Sequence, residues 1–166
     1  NQTLDLTLRY ILYGGHRDAE VAVKICSDEP INSTFCTGLI KLDNCQTYSD
    51  HKGTAAVWGD NWPAGRKDTV GRKKEVLGMA VKIPQRNVVG EPENEENMIY
   101  LLGEKARILT KELAFSYHIA FASDKEEEST IHSANEWLAW VKQWNKQKPL
   151  TISLPEKTLE IVSKVE

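Results

Sequence analysis

Residues 3–12 read TLDLTLRYIL, and this stretch sets the expected fold. Apolar side chains alternate through it with largely polar ones, as Leu4, Leu6, Leu8, Tyr10 and Leu12 against Thr3, Asp5, Thr7, Arg9 and Ile11. Because successive side chains of a β-strand point to opposite faces, this alternation predicts a strand. The chain opens inside the pattern, so we expect it to lack upstream residues. Its first strand would then pair with a missing segment or another chain, or leave an exposed apolar edge.

Further strand-like runs follow, each short and closed by turn residues. They lie at residues 21–25, 35–42, 54–58, 76–83, 98–102, 108–109, 113–121 and 150–154. Short strands separated by turn signals predict a mostly β protein with an antiparallel β-sandwich. A length of 166 residues corresponds to one domain. We expect a single domain over residues 1–166 that forms the C-terminal part of a longer protein.

One helix is predicted near the C-terminus. Ser133-Ala-Asn-Glu136 is a capping box, in which Ser133 caps the first turn and Glu136 reaches back to it. Apolar side chains then recur at helical spacing, at Trp137, Trp140, Val141 and Trp144. We expect a helix over residues 133–147. We interpret its three Trp as the side chains that clamp it onto the sheet, and a sugar-stacking platform is the alternative.

Composition narrows the classes of function. The net charge is -3 and no basic block dominates, which argues against a nucleic-acid partner. No apolar run approaches the roughly 20 residues that span a bilayer, so we expect no membrane partner. The three cysteines lack CxxC spacing, which disfavours zinc. We expect buried, unpaired thiols, no metal and no cofactor.

The stretch from Ser49 to Glu75, SDHKGTAAVWGDNWPAGRKDTVGRKKE, concentrates reactive and binding side chains. Its recurring Gly and its Pro predict mainly a long ordered loop. Trp58 and Trp62 with Asp60 would stack on a sugar and bond its hydroxyls, or alternatively plug the loop into the core. Arg66 and Arg72 would hold a carboxylate, because the guanidinium fork matches one, or alternatively lie in solvent.

A second cluster is Gly14-Gly-His-Arg-Asp18, a turn between two strands. It offers His16 and Arg17 beside Asp18, and an ordinary hairpin with exposed polar residues is the alternative. His51 or His16 would act as a base, since imidazole is suited to proton transfer near neutral pH. Tyr48 or Tyr13 would act as the acid. We expect His16 or His51 to share one cleft with Trp58 or Trp62 and with Arg17, Arg66 or Arg72.

Six segments together resemble one family. They are GGHRDAEVAVK, FCTGLIKL, YSDHKG, AVWGDNWPAGRKDT, KKEVLGMAVKIPQ and SDKEE followed by HSANEWLAWVKQW. In order and spacing the chain resembles the C-terminal half of the bacterial "domain of unknown function 4861" proteins, from about Leu8 to Leu150. The resemblance implies a secreted or periplasmic protein encoded among polysaccharide-degrading enzymes. It also implies a β-sandwich of the mutarotase and polysaccharide-lyase kind.

These observations together predict a carbohydrate-active protein whose partner is an oligosaccharide containing uronic acid. A companion N-terminal polypeptide or segment is a further expected partner. The favoured reaction is β-elimination by a lyase or dehydratase, with Arg17, Arg66 or Arg72 neutralising the uronate. One alternative is a glycoside hydrolase with a carboxylate pair drawn from Asp18, Asp60 and Asp68. The other is a non-catalytic sugar-binding domain.

Overall fold

A computed structural model describes residues 3–31, 33–62, 74–103 and 111–144. Its elements in chain order are β1 Leu4–Leu12, β2 Asp18–Ser27, β3 Phe35–Ile40, β4 Asp43–Ser49, β5 Thr54–Asn61, β6 Glu75–Lys82, β7 Val88–Gly90, β8 Asn97–Leu102, β9 Glu112–Ser123 and α1 Ala134–Trp144. A short 3-10 turn, Gln85–Asn87, precedes β7. No helix in the described ranges is long and apolar enough to cross a membrane.

The strands form two antiparallel sheets that face each other as in a sandwich. The larger sheet has six strands in the order β1-β2-β9-β6-β5-β4, and the smaller has three in the order β3-β8-β7. The expected mostly β, antiparallel fold with a helix near the C-terminus is confirmed. The helix starts where the capping box places it, and residues 145–147 of its expected length lie outside the described part.

The large sheet has an apolar core on each of its faces. One core lies against the small sheet and contains Leu42, Ala55, Val57, Val81, Ile83, Met98, Tyr100 and Leu102. The other lies against α1 and contains Ala56, Trp58, Ala80, Ala120, Ala122, Trp137, Val141 and Trp144, together with Ile131 and Ala134. The helix therefore forms a third layer, and the large sheet belongs to both cores.

Register places one row of small side chains under the helix. Ala56, Ala80 and Ala120 are directly opposite one another on β5, β6 and β9. The same row continues to Asp18 on β2 and to Tyr48 on β4. Residues directly opposite in an antiparallel pair point to the same face. Asp18 and Tyr48 therefore lie at the two ends of the helix-facing row, and the first of these ends carries the candidate site.

The structure corrects several boundaries. Asp43–Ser49 forms a strand that was not predicted, because its sequence is polar and β4 is an exposed edge of the large sheet. Strand β5 extends to Asn61, three residues beyond the strand expected at 54–58, so Asp60 belongs to a strand and not to the long loop expected over 49–75. The runs expected at 108–109 and 150–154 lie outside the described residues.

The cysteines also differ from expectation in one respect. All three are unpaired, as expected, but none is fully buried. Cys26 and Cys45 are half-buried, and Cys36 is exposed on β3.

Candidate functional site

A cleft of about 630 Å³ opens at one end of the large sheet, beside the helix. Its walls come from the β1–β2 turn, the end of β9, the segment after β9 and the last turn of α1. The residues that line it are Gly15, His16, Arg17, Asp18, Phe121, Glu126, Trp140 and Trp144. The cleft thus combines an imidazole, two carboxylates and two indoles in one concave surface.

The carboxylate of Asp18 contacts three other side chains in and beside this cleft. Its Oδ1 lies 3.3 Å from Nδ1 of His16, and its Oδ2 lies 3.2 Å from Nδ1 of His118. Oδ2 also accepts a hydrogen bond of 3.2 Å from the indole Nε1 of Trp144. The side chain of Asp18 is only 16% exposed. A carboxylate held from three sides keeps one orientation, and so orients the imidazoles around it.

His16 stands at the mouth of the cleft on the β1–β2 turn. Its backbone N–H donates to the carbonyl of Tyr13 at 3.1 Å, which closes the turn. The rings of the two residues lie 5.7 Å apart and are tilted by 53°. Since Nδ1 faces Asp18, the imidazole directs Nε2 away from that carboxylate. A carboxylate behind one imidazole nitrogen is the arrangement by which proteins orient a general base.

Arg17 forms part of the wall and is already occupied by groups of its own chain. Its Nη1 donates to Glu126 Oε2 at 2.6 Å and to the carbonyl of Phe121 at 3.2 Å. Its Nη2 donates to the hydroxyl of Ser129 at 3.1 Å. Burial would raise the pKa of Glu126, but the hydrogen bonds from Arg17 and Ser123 outweigh burial and hold that pKa below its ordinary value. The guanidinium of Arg17 therefore links the β1–β2 turn to the end of β9 and to the segment that follows it.

The three helical Trp form a stacked row. Trp140 lies 5.2 Å from Trp137 with the planes 7° apart, and 5.4 Å from Trp144 with the planes 20° apart. Trp137 lies about one turn before Trp140 and Trp144 about one turn after it on the same side of the helix, so the ring of Trp140 stacks between the other two. The clamp interpretation is confirmed for Trp137 and Trp144, which are buried. The half-buried Trp140 contributes to the cleft wall.

Sequence reasoning missed several residues of this region, among them Glu126 in the cleft wall and the pair His118 and Lys82. His118 and Lys82 are directly opposite each other on β9 and β6, on the helix face. The ammonium of Lys82 donates to the carbonyl of Trp144 at 3.0 Å and lies 5.5 Å from its ring centroid. Burial lowers the pKa of Lys82, and the carboxylates of Asp18 and Asp50 partly offset this. His118 and Lys82 each lie within a largely apolar strand. The sequence signal for them is that each is an even number of residues from an alanine on the helix-facing side of its strand, so it points to the same face.

His51 lies at the other end of the large sheet from His16. Strands β2 and β5 run in opposite directions, so the turns that precede them lie at opposite ends. The His51 side chain is 82% exposed, with Nδ1 3.2 Å from Glu91 Oε2. Tyr48, expected as the acid, is half-buried under Lys142, whose Nζ lies 5.3 Å from its ring centroid. Burial, followed by the charge of Asp50, raises the pKa of Tyr48.

The expected sugar-binding side chains lie on β5 or beyond it. Trp58 is only 6% exposed and packs against Gly78 in the helix-side core, so its ring faces the protein interior. Trp62 is half-buried, with Lys74 Nζ 5.9 Å from its ring centroid. Asp60 accepts a hydrogen bond of 3.3 Å from Asn44. Asp68, Arg66 and Arg72 lie outside the described residues.

The cleft therefore brings together only part of the expected constellation. It joins His16 and Arg17 with Asp18, and its indoles are Trp140 and Trp144 of α1 instead of Trp58 and Trp62. Of the three aspartates considered for a hydrolase pair, Asp18 is the one that lines it. Among the described residues, no group of three or more His, Cys, Asp or Glu is placed to hold a metal ion.

Comparison with known proteins identifies a family. A family model described as "Domain of unknown function (DUF4861)" matches residues 1–152 of the chain. No curated protein and no solved structure is matched.

Proposed function

The chain belongs to the DUF4861 family, and from the geometry of its cleft we propose that it acts on oligosaccharides containing uronic acid by β-elimination. The single observation that carries this proposal is the pair of Asp18 and His16, with 3.3 Å between Oδ1 and Nδ1, at the mouth of the cleft. A secreted or periplasmic location is part of the same proposal. Both the location and the uronate class rest on the family resemblance.

The proposed chemistry assigns a base, an acid and a positioning group. Nε2 of His16 takes the proton from C5 of the uronate, and the electrons of that bond form the double bond between C4 and C5. The bond from C4 to the glycosidic oxygen breaks, and the departing oxygen receives a proton. Tyr13 supplies that proton, since its ring lies against His16 and its side chain is exposed. Asp18 orients His16, and the imidazolium formed after proton transfer is stabilised by that carboxylate.

Arg17 has no role toward the substrate in this proposal. Both its terminal nitrogens donate to groups of the same chain, and Glu126 already neutralises its charge. The aromatic wall that the sugar would meet is the half-buried Trp140 beside Trp144. Trp58 is not part of that wall, because it does not line the cleft and its ring packs in the helix-side core.

The test is incubation of the protein with a panel of oligouronates, with product followed by ultraviolet absorbance of the unsaturated uronate. We expect His16→Gln to lower the rate by about 10²-fold or more, the range for loss of a general base. His51→Gln is the matched control, and its rate should stay near that of the parent, because His51 lies at the other end of the sheet.

Other outcomes overturn the proposal in distinguishable ways. New reducing ends without ultraviolet absorbance would indicate a hydrolase. Calorimetric binding of the same oligosaccharides without any product would indicate a sugar-binding domain. Loss of activity in the His51 variant but not in the His16 variant would place the base at the β4–β5 turn.

A further inference from the structure

Strand β1 presents a long, regular sheet edge, with which no other described strand pairs on its outer side. All nine of its residues pair with β2 without a bulge, from Leu4 opposite Ser27 to Leu12 opposite Ala19. It is the terminal strand of the six-stranded sheet in the described part of the chain. The backbone groups on its outer side point away from β2. Such an edge is a template for pairing with another strand.

The side chains of this strand have an unusual distribution. On the face turned toward the small sheet, Leu6, Leu8, Tyr10 and Leu12 are 45–78% exposed. On the helix face, Asp5, Thr7 and Arg9 are exposed. None of the ion pairs formed among the described residues uses Asp5 or Arg9. Within the described part of the chain, the strand therefore carries an apolar row and a charged row that are both largely exposed.

We propose that β1 pairs with β1 of a second copy of this chain, antiparallel and centred on Thr7. In this register Asp5 lies directly opposite Arg9 of the second copy, and Arg9 lies opposite its Asp5. On the other face Leu6 lies opposite Leu8 of the second copy. Opposite charges and apolar side chains placed directly across a strand pair both favour the pairing.

Charge complementarity favours a second copy of β1 as the pairing strand, and it favours the register centred on Thr7. An antiparallel pair of identical strands has a two-fold axis, so each contact occurs twice. Centring the pair on Leu6 would place Asp5 opposite Thr7, and centring it on Leu8 would place Arg9 opposite Thr7. A shift by one residue would set the apolar row against the charged row. Of these registers, only the one centred on Thr7 places Asp5 opposite Arg9 and also places the apolar rows of the two copies opposite each other.

The first test is a charge exchange in the full chain, with mass measured by light scattering after size exclusion and affinity by sedimentation. The parent should be a dimer. Arg9→Asp places Asp5 opposite another aspartate in both symmetric contacts, so the dissociation constant should rise by about tenfold or more. The double variant Asp5→Arg with Arg9→Asp restores both opposite pairs and should return the affinity of the parent. Gly14→Ala, in the turn beyond the strand, is the neutral control, since a Cβ there meets nothing within 4 Å.

A second test reads the register directly, in a background with Cys26, Cys36 and Cys45 changed to serine. Thr7→Cys places two thiols directly opposite, where Cβ atoms are about 4.5–5.5 Å apart, so mild oxidation should give a disulfide-linked dimer. Arg9→Cys sets its two thiols four residues apart along the strands, and should remain unlinked.

Each result decides the proposal. A parent that stays monomeric over the concentration range overturns it, and leaves the edge to a different partner. A dimer that both charge variants leave unchanged, or that Arg9→Cys links while Thr7→Cys does not, places the contact elsewhere or in another register. Activity on oligouronates is a separate measurement, so failure of the dimer leaves the proposed reaction standing.

Discussion

At the scale of single residues, the helix-side core depends on glycine and alanine in the sheet, which leave room for the indoles above them. Gly78 lies on β6 beneath the helix, and a Cβ built there would meet Trp58 Cε3 at 2.7 Å and Trp137 Cδ2 at 2.8 Å. The alanines beside it leave space of the same kind for the buried indole of Trp137. That indole donates its N–H to the carbonyl of Val57 at 3.0 Å. The large indole of Trp137 can thus pack directly against the sheet because the residues beneath it are glycine and alanine.

We predict that Gly78→Ala destabilises the protein, because the added carbon overlaps two indoles held on both sides by packed structure. Overpacking of this kind lowers the free energy of unfolding by about 1–3 kcal/mol. Urea unfolding followed by Trp fluorescence measures the change. Gly14→Ala is the matched control, since a Cβ at Gly14 meets nothing within 4 Å, and its effect should stay within about 0.5 kcal/mol. Equal effects of the two substitutions would contradict the account of Gly78.

At the scale of elements, α1 starts at a hydrogen-bonded cap that contains two titratable side chains. The backbone N–H of Glu136 donates to Ser133 Oγ at 3.4 Å, and Ser133 Oγ donates to Glu136 Oε2 at 2.8 Å. Glu136 Oε2 also accepts from the backbone N–H of His132 at 2.9 Å. These bonds, the one from His132 first, lower the pKa of Glu136 below its ordinary value of 4.5.

His132 has the opposite preference. Its Nδ1 lies 3.1 Å from the carbonyl of Asp124, and its Nε2 lies 2.6 Å from the carbonyl of Ser129. Since carbonyls only accept and a neutral imidazole donates from one nitrogen, the two contacts favour the protonated ring. They raise the pKa of His132 above its ordinary value of 6.5.

We predict opposite pH dependences for variants of these two residues. A lowered pKa means that Glu136 contributes stability above its ordinary pKa, and that the contribution is lost as the pH falls through the lowered value. A raised pKa means that His132 contributes below its ordinary pKa, and that this is lost as the pH rises through the raised value. The stability difference between the parent and Glu136→Gln should therefore shrink in acid. The difference between the parent and His132→Asn should shrink in alkali.

Urea unfolding at a series of pH values measures both differences. Gly78→Ala serves as the control, since the Cβ it adds meets the indoles of Trp58 and Trp137 and no titratable side chain, so its effect on stability should be the same at every pH. Differences that do not change with pH for the Glu136 and His132 variants would show that their side chains hold the same charge in the folded and unfolded chains.

At the scale of the whole molecule, the large sheet links the helix to the small sheet. The side chains of Ala56 and Val57, neighbours on β5, point to opposite faces and enter different cores. The same holds for Ala80 and Val81 on β6. Because one sheet supplies half of each core, loss of either core removes support from the other. The three layers should unfold as one cooperative unit.

We predict that Leu102→Ala, in the small sheet, destabilises the helix as much as the strands. Leu102 is buried between the sheets, and truncation of a buried leucine lowers stability by about 2–5 kcal/mol. The transitions followed by Trp fluorescence, which reports largely on α1, and by far-ultraviolet circular dichroism should shift together. Leu12→Ala changes an exposed leucine at the sheet edge, and should leave both midpoints near those of the parent. Two separate transitions would show that the layers unfold independently.

The sequence by itself determined the elements whose signals are local. The alternation over residues 3–12 produced β1, and the Ser133–Glu136 capping box with its Trp spacing produced the start of α1. Both signals depend on residues less than about two helical turns apart, where side-chain direction follows directly from backbone geometry. The polar edge strand β4 escaped prediction because its residues carry no apolar alternation.

Only the tertiary structure decided which polar side chains meet. His16 and Asp18 are neighbours on one turn and were named together from the sequence. His118 joins them across β2 and β9, and Trp144 joins them from the end of α1, 126 residues away along the chain. The opposite directions of β2 and β5 send His51 to the far end of the sheet. Strand register and helix docking are set by how two whole cores pack at once, and no local pattern carries that information.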